Sequence, residues 1–321
     1  MKTRVLVTAI GTMTSTEIVC QLKNTGLFHI IGADIYDQNQ IATSKDVDEF
    51  YVFPPSVVNL ENYIEFTVQF CAEHKIDIYF ATIDEEIANL SKNRKRFEEI
   101  GVKLCIPNHS LVMTCHYKNT FVQWLEDNMP EVLIKTYPDV QSIPEDGFPV
   151  FIKPIEGRAS IGCQKVESRK QLDELAGKGL DVCNYVIQQY VGGDVITVDL
   201  VRNAATKQMT QVQRLETIRN GNGCGTAVEI IHDPVLQEIC IRLMELLDLN
   251  GVVNAEFFRN KDSYQIIEVN PRFSAGSGFT CRAGVNTVLA AVSIAQGREC
   301  QFGTVAYGKH FSKRYETYEM D

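Results

Sequence analysis

Two carboxylates and two amides, spaced at alternate positions within residues 251–278, are the side chains best set to do chemistry together. The stretch reads GVVNAEFFRNKDSYQIIEVNPRFSAGSG, two apolar runs at 252–258 and 266–270 around a polar turn. Successive side chains of a strand point to opposite faces, so Asn254, Glu256 and Phe258 share one face of the first run, and Ile266, Glu268 and Asn270 one face of the second. A three-residue loop of Lys261, Asp262 and Ser263 then pairs Asn260 with Tyr264, which sets Glu256 opposite Glu268 and Asn254 opposite Asn270. Carboxylates directly opposite, with Cβ atoms about 5 Å apart, destabilise a sheet unless a cation lies between them. A merely solvated face would carry Lys or Arg there. Two acids flanked by amide oxygens form the hard donor set that suits magnesium holding substrate phosphates.

Further upstream, HYKNTF puts Lys118 at the start of a helix, and PVFIKPIEGRASIGCQKV puts Lys153 at a strand end before a small-residue loop, 156–162. Gly157, Ala159, Ser160 and Gly162 let such a loop fold over phosphates and exclude water, while the lysine neutralises charge. QRLETIRNGNG sets Arg214 and Arg219 on a strand before glycines. Arg272 and the 274–278 loop follow the acidic hairpin, where backbone donors suit a developing oxyanion. The turn after the first apolar run, GTMTST, lacks GxGxxG, so a nicotinamide oxidoreductase gains little support. Thr12, Thr14 and Ser15 read first as helix caps, with an anion at the helix N-terminus as the other use.

These residues need a scaffold, and the alternation of apolar runs supplies its outline. Strands at 4–10, 29–33 (ending in Asp34), 76–81 and 102–106 alternate with helices at 16–22, 60–74 and 85–100, which predicts a parallel α/β domain of about a hundred residues. After Pro107 comes a helix over 111–128, then shorter strands interrupted by Pro138, Pro144, Pro149 and Pro154. Apolar runs 185–191 and 195–201, joined by Gly192-Gly193, carry a hairpin signal, and 234–247 reads as a helix. The expected division is 1–108, 109–186 and 187–321.

Composition narrows the classes. With 321 residues the chain exceeds one ordinary core. Its formal charge of −10 and scattered basic residues exclude a duplex-tracking nucleic-acid binder. No apolar run is long enough to span a bilayer, and MKTRVLVTAIG reads as a first strand and not as a signal segment. Ten cysteines without CxxC spacing indicate reduced thiols in a cytoplasmic enzyme.

E-x-N-P-R after an acidic strand resembles the metal motif of the ATP-grasp superfamily, as in carbamoyl-phosphate synthetase, biotin carboxylase and D-alanine:D-alanine ligase. The resemblance implies a Rossmann-like pre-ATP-grasp domain, like the stretch ATIDEEIANL before GVKLCIPN, followed by a two-lobed ATP-grasp domain. It implies ATP with Mg2+, or Mn2+ as an alternative, Glu256, Glu268 and Asn270 as metal ligands, and Lys118 and Lys153 as the nucleotide-binding lysines. YVIQQYVGGDVITVDL is similar to the hinge between lobes, with Gln188 reading adenine by its side chain and Gln189 and Val191 by their backbone. Val195 stands where the family has its ribose-binding acid, so Asp194 is the substitute, although strand neighbours point to opposite faces. Arg214 and Arg219 resemble a basic strand that addresses phosphate or acyl phosphate, and KRYETY is like a C-terminal helix region.

The implied activity is a stand-alone ligase that activates a carboxylate as an acyl phosphate and passes it to an amine. Its partners are then a small-molecule carboxylate and amine, with a homodimer as the expected assembly. A phosphotransferase stopping at the acyl phosphate and a non-catalytic nucleotide-binding module are the alternatives.

Overall fold

A computed structural model describes residues 2–157, 160–261 and 263–320. Ala159 of the expected phosphate loop and Asp262 of the expected turn lie outside the described residues.

The chain opens with β1 (Thr3–Thr8), α1 (Met13–Thr25), β2 (Phe28–Asp34), β3 (Glu49–Val52), α2 (Leu60–Glu73), β4 (Ile78–Phe80), α3 (Asp84–Lys92), α4 (Arg94–Glu99) and β5 (Lys103–Leu104). The strands form one parallel sheet in the order β3-β2-β1-β4-β5. Helices cover both faces of such a sheet, which is why β1 and β4 read as unbroken apolar runs. The helix expected over 85–100 is two, parted at Asn93. Thr12 caps α1, its side chain accepting from the Ser15 backbone at 3.2 Å, and Ser15 Oγ bonds Thr8 O and Thr82 Oγ1. These hydroxyls serve structure first.

Next come α5 (His109–His116) and α6 (Lys118–Asn128). The single helix expected over 111–128 breaks at Tyr117, whose backbone is extended, and Lys118 thereby opens a new helix. A four-stranded antiparallel sheet follows, built from β6 (Thr136–Tyr137), β7 (Val150–Pro154), β8 (Gln164–Val166) and β9 (Tyr185–Gln189) in the order β6-β9-β7-β8, with α7 (Arg169–Gly177) between its last two strands in sequence.

The remainder forms a six-stranded sheet from β10 (Asp194–Asn203), β11 (Gln208–Arg219), β12 (Gly225–Ile231), β13 (Gly251–Asn260), β14 (Ser263–Asn270) and β15 (His310–Ser312), ordered β14-β13-β10-β11-β12-β15. Its helices are α8 (Pro234–Leu246), α9 (Ser277–Arg282) and α10 (Thr287–Ala295). The hairpin expected across Gly192-Gly193 does not form. β9 belongs to the four-stranded sheet and β10 to the six-stranded one, so the glycine pair carries the chain from one sheet to the other. Gly193 has φ +156°, and a Cβ on it would lie 2.4 Å from the Arg259 carbonyl oxygen, so only glycine fits this passage. The tail also departs from expectation: residues 313–320 are not helical. Instead, Lys45 donates from the first domain to the Glu319 carbonyl.

One face of the six-stranded sheet is the core. Val198, Leu200, Ala255, Phe257, Ile266 and Val269 pack there with Leu125 of α6 and Leu243 of α8. Each such large apolar side chain contributes about 1.5–3 kcal/mol by leaving water. Ile266 and Val269 share this face although three residues apart, because a bulge interrupts β14 between them. Ile266 therefore does not share a face with Glu268 and Asn270, contrary to simple alternation. A second core joins the parallel domain to the rest, with Val5, Val7 and Ile18 against Val252, Val288 and Ala291.

Candidate active site

The opposite face of the six-stranded sheet floors a cleft of about 920 Å3, roofed by the four-stranded sheet and closed at one side by the ends of α1 and α3. Strand register writes its floor as two rows. Glu268, Glu256, Thr197 and Arg214 stand in line across β14, β13, β10 and β11, and Asn270, Asn254 and Asp199 stand in the next row. The pairs Glu256–Glu268 and Asn254–Asn270 are thus as expected, by a different route. Asn260 pairs with Ser263, leaving a two-residue turn in place of three, and the bulge at Ile267 restores the register before the acids.

The acid pair is electrostatically costly. Burial, then the facing Glu268, pushes the Glu256 carboxyl up to about 8. Arg219 offsets part of this: Nη2 lies 3.0 Å from Glu256 Oε2 while Nε lies 2.7 Å from Glu216 Oε2. Glu216 is a third acid of the site that sequence reasoning missed. It lines the cleft, and its Oε1 accepts from Thr197 Oγ1 at 2.6 Å, whereas Oε2 is buried with no hydrogen bond despite the nearby Arg219 charge. Its place two residues after Arg214 on the same strand face was the available signal. Among the described residues no three His, Cys, Asp or Glu side chains form a metal cage. Two carboxylates with Asn270, whose Nδ2 donates to Glu268 Oε1 at 3.0 Å, fit a hard cation whose shell phosphates and water complete.

Lys153 reaches the same place from β7 in the opposite sheet. It is buried, with Nζ 3.4 Å from the Ile267 carbonyl, and desolvation lowers its pKa while the Glu268 charge acts against that shift. Lys118 donates to the Gly157 carbonyl at 3.1 Å, so the lysine that opens α6 holds the root of the loop. Ser160, in a left-handed conformation at φ +57°, brings its Oγ to 3.4 Å from where Gly223 would carry a Cβ. Loop 156–162 and turn 220–224 therefore meet across the cleft, and Gly157, Ser160 and Gly223 all line it. Gly162 lies at the far root of the loop with φ +77°.

Gln188 is buried on β9, lines the cleft and donates to Thr136 Oγ1 at 3.2 Å; Gln189 and Val191 also line the cleft. Asp194 is the exception. It is exposed at the start of β10, pairs with Arg259 at 2.7 Å, and is not among the residues lining the cleft, because adjacent strand positions face opposite ways.

The three arginines differ. Arg214 is fully buried, with Nη1 and Nη2 donating to Asp199 at 2.6 and 3.2 Å, to Thr280 and to Ser274. Its guanidinium thus braces the 274–280 segment from below and has those donors already spoken for. Arg219 lies between two acids. Arg272 ties the acidic hairpin to the first domain, Nε to Asp84 Oδ1 at 2.8 Å, and its Nη2 lies 3.4 Å from Asn270 Oδ1.

A parallel α/β domain followed by two antiparallel sheets clasping a cation-rich cleft defines the ATP-grasp architecture. The family described as "ATP-grasp in the biosynthetic pathway with Ter operon" matches residues 182–315, "PylC-like, N-terminal domain" matches 5–105, and "D-ala D-ala ligase C-terminus" matches 133–221. The chain belongs to the ATP-grasp superfamily. It is 25% identical over 125 residues to the 3-methyl-D-ornithine–L-lysine ligase of Methanosarcina mazei, covering 39% of this chain and 32% of that one. The chain spans about a third or less of the length of the curated relatives it matches.

Solved structures carry the fold further. The biotin carboxylase domain dimer of Hydrogenobacter thermophilus 2-oxoglutarate carboxylase, in complex with MgADP, ADP and bicarbonate, superposes with TM-score 0.76 at 16% identity, covering 97% of this chain and 73% of that one. An L-amino acid ligase from Bacillus licheniformis gives TM-score 0.70 at 14% identity, covering 92% and 74%. No helix among the described residues is long and apolar enough to cross a membrane.

Proposed function

We propose that this chain is an ATP-dependent carbon–nitrogen ligase that phosphorylates a substrate carboxylate and passes the acyl group to an amine, releasing ADP and phosphate. One observation carries the reading: the facing Glu256 and Glu268 lie in one cleft with buried Lys153, which comes from the opposite sheet. Opposed acids and a desolvated lysine are unfavourable except around a polyphosphate and its cation.

In this reading Lys118 and Lys153 bind the phosphates, loop 156–162 excludes water, and Gln188, with the Gln189 and Val191 backbone, orients adenine. Magnesium, or manganese in its place, fits Glu256, Glu268 and Asn270 and supplies charge neutralisation at the transferred phosphoryl group. A substrate carboxylate oxygen attacks the γ-phosphorus as the bond to the ADP oxygen breaks. The amine nitrogen then attacks the acyl carbon, phosphate leaves with the carbon–oxygen bonding electrons, and the amine proton passes to solvent. Arg272 and the 274–278 backbone hold the developing oxyanion, Arg219 addresses the acyl phosphate, and Arg214 positions the segment that does so. Asp194 is left without a ribose role. Ten free cysteines support action in the reducing cytoplasm, and a homodimer is the expected assembly.

The test is ADP and phosphate release from pooled carboxylates and amines with magnesium or manganese. Release that needs both pools supports the ligase. Release with carboxylate alone makes the protein a phosphotransferase, and none with any pool, despite ATP binding, makes it a binding module.

A further inference from the structure

A second cavity, of about 320 Å3, opens beside the main cleft at the carboxyl ends of β1, β2 and β3. Thr12 and Ile83 line both spaces, so the two adjoin at these residues. The carboxyl end of an open parallel sheet is where ligands of such folds bind. The walls are mostly apolar, with Ile35, Phe53 and Val57 among them and Tyr36 beside them. Ile35, Tyr36 and Val57 are half exposed, which leaves an apolar rim around the mouth.

One charged group faces this space without a counter-ion. Asp34, at the end of β2, is 7% exposed, and its two oxygens accept only from the backbone of Gly11 at 2.9 Å and of Tyr36 at 3.3 Å. Among the described residues no Lys, Arg or His pairs with it. The other acid of the cavity, Glu86, is already committed to Tyr63, Tyr79 and Thr8. A buried carboxylate with open lone pairs and apolar walls calls for a cation on an apolar body. Tyr36 and Phe53 add aromatic surface that favours a cation over a neutral diol.

We propose that this cavity binds an apolar amine through its ammonium on Asp34. Resting on the ligase reading, the ligand is the acceptor substrate, and it carries two amino groups: one stays protonated on Asp34, and the other, free to react, extends past Thr12 and Ile83 into the main cleft. A single amino group cannot both neutralise Asp34 and attack an acyl phosphate.

The probe is 1,5-diaminopentane, titrated by saturation-transfer NMR against the full chain, with 1,5-pentanediol as its uncharged counterpart. The diamine binds wild type and not the diol, and Asp34→Asn weakens it by about tenfold or more, the loss of one charge-assisted contact. Val57→Trp, which fills the cavity from its exposed side, abolishes binding and guards against misfolding of the first variant. Diamine affinity unchanged in both variants, or no binding to wild type, overturns the proposal. So does Asp34-dependent binding of adenosine in place of the diamine, which would make the cavity a ribose site. MgATP affinity is measured alongside: if it binds while the diamine does not, only the amine site falls. If the diamine binds through Asp34 yet no carboxylate pool yields turnover with it, the acceptor role is overturned; the ligase reading falls only if the pooled amines give none either.

Discussion

At the scale of single residues, the site is organised around a charge conflict. Glu256 and Glu268 repel, and Arg219 answers only one of them. Glu268→Gln should abolish turnover and yet leave the stability of the metal-free protein unchanged or raised by up to about 0.5–1 kcal/mol, the cost of like charges opposed across strands less the support that acid gives Lys153. Glu256→Gln should also abolish turnover but stabilise less, because it removes one of the two ion pairs of Arg219 and leaves that arginine with Glu216 alone. Thermal midpoints of both variants without magnesium measure the difference. A Glu268→Gln midpoint well below wild type would make that acid an ordinary structural one. The pairing was legible in the sequence because it is local, lying within one hairpin whose alternation can be counted. Glu216 was not, because its closeness to Glu256 depends on Thr197 of β10 standing between two strands far apart in sequence.

At the scale of elements, the parallel sheet is pinned by one carboxylate. Glu49 of β3 accepts from His29 of β2 at 2.6 Å, from Arg4 of β1 at 2.8 Å and from Tyr51 at 2.9 Å. The His29 bond foremost holds its carboxyl down to about 2. A depressed folded-state value means stability that is complete above the ordinary carboxylate pKa and is lost as pH falls through the folded one. Glu49→Gln should therefore cost about 1–2 kcal/mol at neutral pH, allowing for partial solvent screening. That difference should shrink between pH 4.5 and 2. Denaturant midpoints across that range check it; a difference constant with pH would assign the loss to packing. Sequence periodicity found β1, β2 and β4, whose centres are apolar, but β3 reads EFYV, too short and mixed to announce itself. Helix breaks at Asn93 and Tyr117 were hidden likewise, since each is a single residue inside an otherwise helical pattern.

For the molecule as a whole, the decisive misreading concerned Gly192-Gly193. Two apolar runs joined by a glycine pair look the same whether they pair with each other or leave for different sheets, and only long-range pairing separates the cases. Resemblance to a hinge between lobes was the better guide there than local turn chemistry. The passage past Arg259 admits no side chain, so Gly193→Ala should cost about 2–3 kcal/mol, through steric clash with main chain that cannot step aside. Urea unfolding would read it, and a loss under 0.5 kcal/mol, the ordinary scatter of surface changes, would mean the junction yields. The first domain is bound in by Arg272 on Asp84 and by a shared core, so the cleft has a wall from each part of the chain.

The bulge at Ile267 has a bearing on descent. Turn length and bulge are interchangeable ways of bringing the same two acids abreast, since one residue added to the turn and one removed from the strand leave Glu256 opposite Glu268. Hairpins of related chains should therefore carry either device, a three-residue turn or a two-residue turn with a bulge, and keep the two acids abreast. Inserting glycine after Lys261 together with deletion of Ile267 should leave Glu256 opposite Glu268, with a three-residue turn standing in for the bulge.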